Sequence, residues 1–563
     1  MQALEPIRPV TLRVPHVRVR LPRLTVDAVL IVALFALYLT TGVVLTLINH
    51  SLVGDAWSRV GNAYYVLYSR DPHLAAMGFV WNPLPSVLTM PFLPLMAAWP
   101  PLVREGFINN IYSAIFMAFA AQQILGTLRD MRVATPLAVA VALLFGLHPI
   151  IVQYGANGMT EALFILLLVV LIRNLTRWSR TNATAPLVGA GVALGLAYLV
   201  RYEAAPVGAA AGLYVAGWTY MRVGGPRRDR LIASIADGLV LGAPLAASFA
   251  LWALASWLMV GEPFEQFSSA YGTTSQLAAD IENIYYGTGQ GTSSAIVYSA
   301  RQIFGLTPLL LPILAIGFVT AVLRRDATVL AMVAVFGSII LFALWAWLTG
   351  KTGGWLRYYI TVIPFTALAA GWAIGHVWSW WGVPGRAGWL GRVSVAGRRG
   401  LAIGVTAAVL GMLAVSLPSG AGVLFDRTLG RPEGSINDIR RWESGRDVAA
   451  YVDGMDLDRG SVLLDVFLGF PIVLHTEDPR QFVITPDRDF PAVLQDPSTF
   501  GVEYLLVPPP AIELGELDAL NRAFPGVYED GGGIAELVTE FDSPVENFRW
   551  RLYRLTEAGV SSP

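Results

Sequence analysis

Residues 26–59 read VDAVLIVALFALYLTTGVVLTLINHSLVGDAWSR, and this stretch decides the fold. From Val26 to Asn49 the only charged residue is Asp27. Crossing the hydrocarbon core of a bilayer takes about 20 apolar residues, so the run is long enough to span. It is too long for the hydrophobic region of a signal peptide and has no small-residue cleavage site, which predicts a retained membrane helix. Arg8, Arg13, Arg18, Arg20 and Arg23 precede it. Asp55, Trp57 and Arg59 follow at once, so polar and aromatic groups crowd the point where the chain leaves the apolar run.

The rest of the chain extends this pattern. It has 563 residues, a mean hydropathy of +0.56, 55% hydrophobic residues and 14% charged residues. A soluble domain carries about 25% charged residues. The shortfall identifies lipid as the main solvent, where backbone groups must be satisfied internally and spans are helices. A net charge of −1 provides no basic field for nucleic acid. The absence of cysteine excludes a disulfide scaffold, a thiol nucleophile and a cysteine-ligated metal. Lys351 is the single lysine among 39 basic residues, a bias that suggests a GC-rich bacterial genome.

Apolar runs of spanning length fall at 26–49, 107–128, 135–153, 160–175, 186–200, 204–221, 232–260, 303–323, 328–348, 358–381 and 401–417. This predicts a polytopic α-helical membrane protein of about 11 transmembrane helices. Arginines fall after every even-numbered run: Arg129 and Arg132; Arg173, Arg177 and Arg180; Arg222, Arg227, Arg228 and Arg230; Arg324 and Arg325; and Arg386, Arg392, Arg398 and Arg399. With the basic segment 1–25, they predict a cytoplasmic N-terminus by the positive-inside rule. The membrane domain is then 26–417, and an odd number of spans places 418–563 outside, in a bacterial plasma membrane.

Two outside loops are long. In 50–106, Asp55–Ser69 reads as a helix with one apolar face, and Leu84–Ala98 is an apolar stretch broken by prolines. Both suggest helices lying on the membrane surface. The loop 261–302 is polar and glycine-rich, and reads as mobile or ordered by a ligand. Beyond 418, a helix is predicted over 436–453. Strands are predicted at 461–466, 471–475, 481–485, 503–507, 534–541 and 548–555, and helices near 490–496 and 514–524. Strands mixed with helices indicate a small C-terminal soluble α/β domain. It contains no glycine-rich phosphate loop.

The candidate chemistry lies at the outside ends of the spans. Asp55 suits a helix N-cap, and Arg59, four residues on, suits an ion pair with it on one helix face. Glu161 fits the first turn of the fourth span, where the dipole favours an acid. Glu203 lies between the fifth and sixth spans beside Arg201. His148 ends the third span, where a structural role is the ordinary one. Lys351, Arg357 and Tyr358 precede the tenth span. Snorkelling to headgroups is the plain explanation for such cations, and a clamp for a lipid phosphate is the functional one. Together these groups place acids and cations at one outer surface. There an acid can take a proton from an acceptor hydroxyl while cations stabilise a departing phosphate.

This arrangement resembles the GT-C glycosyltransferases that use polyprenyl-phosphate sugars, among them the protein O-mannosyltransferases and the lipid A aminoarabinose transferases. The likeness covers nearly the whole chain. Its local points are Gly54-Asp55 after the first span, Trp81-Asn82-Pro83-Leu84-Pro85, and Arg357-Tyr358 at a late helix start. The resemblance implies a sugar transferase with a polyprenyl-phosphate-linked donor and a cell-envelope glycan, lipid or protein acceptor. It gives Asp55 the part of catalytic base, makes Glu161 or Glu203 a second acid or acceptor contact, and assigns Arg59, Arg201, Arg357, Tyr358 and Lys351 to the donor phosphate. A divalent metal (Mg or Mn) would fall to Asp55 and Glu161. Where many members carry a second acid after the first, this chain has Ala56.

A transporter or flippase of lipid-linked precursors is the rival reading. It calls for ionisable groups at mid-membrane, where this sequence offers mainly Asp237.

Overall fold

The computed structural model describes residues 25–279, 292–315, 327–381, 395–425, 443–543 and 548–556, apart from Leu52, Gly353, Gly354 and Glu513. The basic segment before Thr25, much of the eighth span, the arginines at 324–325, 386 and 392, and the first part of the helix expected at 436–453 lie outside the described residues.

The apolar runs fold as helices close to where the sequence puts them. They include α1 (Val26–Gly42, continued by a π-helical turn Val43–Ile48), α3 (Phe107–Asp130), α4 (Glu161–Thr181), α5 (Thr184–Val200), α6 (Ala204–Arg222) and α7 (Arg227–Val260). Later come α9 (Ser338–Leu348), α10 (Val362–Trp381) and α11 (Val395–Phe425). Among the described residues, 7 helices are long and apolar enough to cross a membrane. An eighth results if Thr135–Gly146 and Pro149–Ala156, bent by 66°, count as one span. Pro149 begins the second half, and His148 at the break is buried. His148 thus joins packed helices and stands apart from the acids and cations described below.

Small residues set the spacing of the bundle. A Cβ on Gly191 would lie 2.8 Å from Leu241 O, and one on Gly195 2.7 Å from Pro244 O, so α5 rests on the backbone of α7. At one end of the bundle the arginines predicted to share a side find acids. Arg129 pairs with Asp27 at 2.6 Å, Arg173 and Arg177 each pair with Asp130 at 2.8 Å, and Arg222 pairs with Asp237 at 3.1 Å. Asp237 also accepts from Thr219 at 2.6 Å, which accounts for the acid singled out for a transporter.

The opposite end carries the loop from the first span and the C-terminal unit. The loop forms α2 (Gly54–Tyr68) and short turns over Leu84–Thr89, Met90–Ala97 and Pro101–Arg104. α2 does not lie on an open surface, because Trp57, Val60, Ala63, Tyr64 and Tyr65 are buried on it. They share one hydrophobic core with the C-terminal sheet.

That sheet has five strands in the order β2-β1-β3-β5-β4: β1 (Val462–Leu464), β2 (Phe482–Ile484), β3 (Tyr504–Val507), β4 (Ala535–Asp542) and β5 (Arg549–Leu555). β1 runs parallel to β2 and β3, and β5 is antiparallel to β3 and β4. Val462, Leu464, Phe482 and Leu506 face the core shared with α2, while Leu463, Val483 and Leu505 face a second core. The strand expected at 471–475 is instead the end of helix α12 (Val466–His475). This segment is apolar on every side and fully buried over most of its length, so its hydrophobicity carries no period to separate helix from strand.

Candidate functional site

The site is assembled from the ends of four separated segments. Asp55 and Arg59 come from α2, whose first residue is Gly54, and Val53 stands at the N-cap. Asp55 is therefore a first-turn acid, where the helix dipole favours a carboxylate, and not the cap residue. Its N-terminal position leaves the side chain free to face across the cavity. Glu161 opens α4, with Thr160 before it, as the sequence suggested. Arg201 ends α5 in extended conformation and Glu203 precedes α6, so this pair fills the tight connection between the two helices. Arg357 and Tyr358 lie in a 3-10 turn, Leu356–Tyr359, that leads into α10.

The charges are paired across segments. Arg357 Nη1 donates to Asp55 Oδ2 at 2.5 Å, spanning 302 residues of sequence. This replaces the Asp55–Arg59 pair suggested by their spacing. Arg201 bridges two acids: it donates to Glu161 Oε1, and its Nε and Nη2 reach Glu203 Oε1 at 3.0 and 2.6 Å. Arg59 lies over the Trp81 ring at 5.1 Å, and its Nη1 is buried without a hydrogen-bond partner among the described residues. Glu161 Oε2 is likewise buried and unpartnered. Arg357 stacks on Trp355 at 4.8 Å. Asn82, next to Trp81, donates to Tyr198 O at 2.5 Å and ties the first loop to α5.

Burial pushes the Asp55 carboxyl up, but Arg357, Arg59 and Arg201 outweigh it and hold Asp55 below the usual carboxylate range. Burial pushes Arg59 down to about 10, with Arg201 and Arg357 adding to the effect and Asp55 and Glu161 opposing it. At that value Arg59 is still a cation at neutral pH.

Asp55, Arg59, Arg201, Glu203, Arg357 and Tyr358 line one polar cavity, together with Trp81, Asn82 and Trp355. Thr273 and Gln276, from the second long loop, line it too. A larger cavity of about 470 Å³ adjoins it and shares Arg201, Glu203, Arg357 and Tyr358. Its remaining wall is largely apolar, with Phe164, Phe249, Ile339, Phe342 and Ala343, and Glu161 and Lys351 line it as well. Lys351 is exposed and lines the larger cavity but not the polar pocket that holds Asp55. A polar pocket rich in guanidinium groups thus adjoins an apolar cavity between α6, α7 and α9.

Sequence reasoning did not assign Trp81, Trp355, Thr273 and Gln276 to the site. Trp355 had a signal, since it stands two residues before Arg357 and indole faces attract guanidinium, whereas Trp81 is 22 residues from Arg59 and meets it only in the fold. Thr273 and Gln276 had none, because their position depends on how the second loop folds back.

A divalent metal does not fit these residues. Asp55 and Glu161 are each engaged by an arginine, three guanidinium groups share the site, and no group of three His, Asp or Glu side chains able to hold a metal occurs among the described residues.

No protein-family model matches the chain, and no curated protein matches it. Solved structures do. ArnT from Cupriavidus metallidurans, bound to undecaprenyl phosphate, superposes with a TM-score of 0.51 over 95% of this chain and 99% of its own, at 12% identity. The Archaeoglobus fulgidus oligosaccharyltransferase in its apo form gives 0.43 over 84% of this chain and 69% of its own, also at 12% identity. The S. cerevisiae Pmt1-Pmt2 protein O-mannosyltransferase complex, bound to its sugar donor, gives 0.30 over 43% and 34%, at 16% identity. The first of these carries the fold assignment, since it covers both chains almost end to end. The chain therefore shares its overall fold with ArnT.

Proposed function

We propose that this protein transfers a sugar from a polyprenyl-phosphate donor to an envelope glycan, lipid or protein acceptor at the outer face of a bacterial plasma membrane. One observation carries the proposal: the pocket holding Asp55, Arg59, Arg201 and Arg357 adjoins an apolar cavity of about 470 Å³ among the helices. A lipid phosphate has the matching division, a charged head that needs cations and a tail that needs apolar walls. The undecaprenyl phosphate held by ArnT is a ligand of this chemistry. The N-terminus would be cytoplasmic, as the arginine pattern requires, and residues 418–563 would share the outer compartment with the site.

The reaction suited to this geometry is a single displacement with inversion. Asp55 takes the proton of the acceptor hydroxyl as its oxygen attacks the anomeric carbon. The bond from that carbon to the phosphate oxygen breaks, and the polyprenyl phosphate leaves with the bonding electrons. Arg59 and Arg357 hold the leaving phosphate, and Arg201, fixed by Glu161 and Glu203, contributes to the same field. No step is assigned to a metal.

In the resting site Asp55 is a weak base because Arg357 is bonded to it. An arriving phosphate competes for that guanidinium and brings negative charge, and both effects raise the pKa of Asp55 toward the range a general base requires. The ion pair is then a resting arrangement that substrate dismantles.

The test is transfer from a polyprenyl-phosphate-linked sugar by the purified protein. Asp55→Asn is expected to lower kcat by about 10²- to 10⁴-fold with donor affinity retained. Undiminished turnover in that variant would remove Asp55 from the chemistry.

A further inference from the structure

The segment from Phe264 to Ala279 touches both the membrane helices and the C-terminal unit. It contains a short helix, Glu265–Ser268, a turn through Tyr271, and α8 (Thr273–Ala279). Its inner side closes the site. Thr273 and Gln276 line the polar pocket, and Gln266, Phe267 and Thr274 line the apolar cavity. On the membrane-domain side it is held by Gln266 Nε2 donating to the Tyr198 hydroxyl at 3.1 Å, by a side-chain hydrogen bond between Thr273 and Tyr202, and by the ring pairs Phe267–Tyr202 and Phe264–Phe249, 6.3 and 6.1 Å apart.

On the other side, Tyr271 enters the C-terminal unit. Its hydroxyl donates to Asp465 Oδ2 at 2.8 Å, its ring lies 5.2 Å from Phe467, and the Arg522 guanidinium sits over it at 5.5 Å. Gln276 Nε2 donates to Tyr271 O at 2.8 Å, so a residue lining the polar pocket is bonded directly to this anchor.

Asp465 is no ordinary surface partner. It directly follows β1, whose two parallel neighbours β2 and β3 lie on opposite sides, so it stands outside the carboxyl end of the strand at which the strand order reverses. In open α/β sheets this is the position where ligands are received. Asp465 is fully buried. Besides the Tyr271 hydroxyl it accepts from Phe467 N at 2.8 Å, Thr485 Oγ1 at 2.7 Å and Ala519 N at 2.7 Å. Three of these four donors belong to the sheet unit itself, and Tyr271 alone comes from the membrane domain. Burial and the adjacent Asp465 carboxylate push the Tyr271 phenol up, so it stays a hydroxyl donor at any ordinary pH.

We infer that Tyr271 and Asp465 are positioning residues: the C-terminal unit uses its switch-point carboxylate to hold the 264–279 strap over the donor pocket, and releasing Tyr271 opens that pocket. This deepens the glycosyltransferase proposal and rests on it only for the identity of the ligand, since the latch is a property of the protein alone. It also gives the soluble unit a part in the reaction. Whatever displaces Tyr271 from Asp465 loosens the residues that close the donor site.

The experiment measures amide hydrogen exchange and undecaprenyl phosphate affinity on the purified full chain. Tyr271→Phe removes one hydroxyl and keeps the ring between Phe467 and Arg522, so the fold survives. Exchange in 264–279 is expected to speed by about tenfold, the scale of a lost hydrogen bond to a charged group, with strands β1 and β2 unchanged. Affinity for undecaprenyl phosphate should fall several-fold in the same variant. Asp465→Asn, judged only if β1 and β2 keep their protection, should reproduce both effects. Unchanged strap exchange in Tyr271→Phe overturns the latch. Faster exchange with unchanged affinity overturns the positioning role. Faster exchange in a protein whose parent form binds no lipid phosphate supports the latch and counts against the proposed donor.

Discussion

Asp55 is held by the groups it would have to release. In the folded protein Arg357, Arg59 and Arg201 overcome the effect of burial and keep its carboxyl below the usual value of about 3.9. A carboxyl depressed in this way contributes its ion pair at every pH above that usual value and loses it as the pH falls through the lowered folded one. For the free enzyme, reported by kcat/KM, the acid limb is therefore expected below about pH 4. In the donor complex the phosphate draws on the same arginines, so the limb in kcat should lie at higher pH than the limb in kcat/KM. A pH–rate profile of both parameters checks this, and coincident limbs would contradict it. Nη1 of Arg59 is buried without a hydrogen-bond partner among the described residues. Arg59→Gln should weaken donor binding roughly ten- to a hundredfold, the cost of a lost bond to a charged group, and shift the kcat/KM limb upward. At this scale the sequence was informative about which charges matter and uninformative about their partners. Arg59 lies one helical turn from Asp55, yet Asp55 pairs with Arg357 across the fold. Helical spacing reports neighbours on one face, whereas the partner here depends on which span ends converge.

α2 is the element that aims Asp55, and it is fixed from both sides. Asn109 on α3 donates to Ala56 O at 2.8 Å and accepts from Thr89 at 3.1 Å, while Trp57 Nε1 donates to Arg104 O at 2.9 Å. Gly106 has a φ of +64°, and a Cβ there would lie 2.8 Å from Trp57 Cδ1. A side chain at 106 would therefore meet both backbone strain and a collision with the tryptophan that seats α2. Asn109→Leu is expected to cost about 1–2 kcal/mol of stability and to lower transfer more than donor binding, because it loosens α2, with the base and one phosphate contact, Arg59, while leaving Arg201 and Arg357 in place. Thermal unfolding and separate kcat and KM values check this, and a loss confined to KM would contradict it. The membrane helices were legible because each is a long apolar run, and the strands at 462–464, 482–484 and 504–507 because each is a short apolar run between turn signals. α12 was not legible as a helix, because Pro471 and the fully apolar surroundings removed both the period and the expected continuity.

On the scale of the whole molecule, the α/β unit is seated on the first loop by ionic and aromatic contacts. Arg70 pairs with Asp487 at 3.1 Å and with Asp489, and Glu105 pairs with Arg446 at 2.6 Å. Trp57 meets the ring edges of Phe470 and His475, at 5.4 and 5.7 Å. The hydrophobic core of the unit therefore runs into the helix that carries Asp55. That junction was beyond the reach of the sequence: the composition shifts after 418, although α11 runs on to Phe425, and the surface the sheet unit rests on is spread over α2 and the turns of the first loop. The arginine pattern predicts the orientation, and in the fold Arg129, Arg173, Arg177 and Arg222 gather with acids at the end of the bundle away from the site. The central claim is that a lipid phosphate binds where Arg59, Arg201 and Arg357 surround Asp55. A density map of the full chain with undecaprenyl phosphate tests it most directly. The account predicts the phosphate within hydrogen-bond reach of Arg59 and Arg357, the Asp55–Arg357 pair opened, and the first isoprene units between Phe342 and Phe249. A phosphate bound elsewhere, with that ion pair intact, would contradict it.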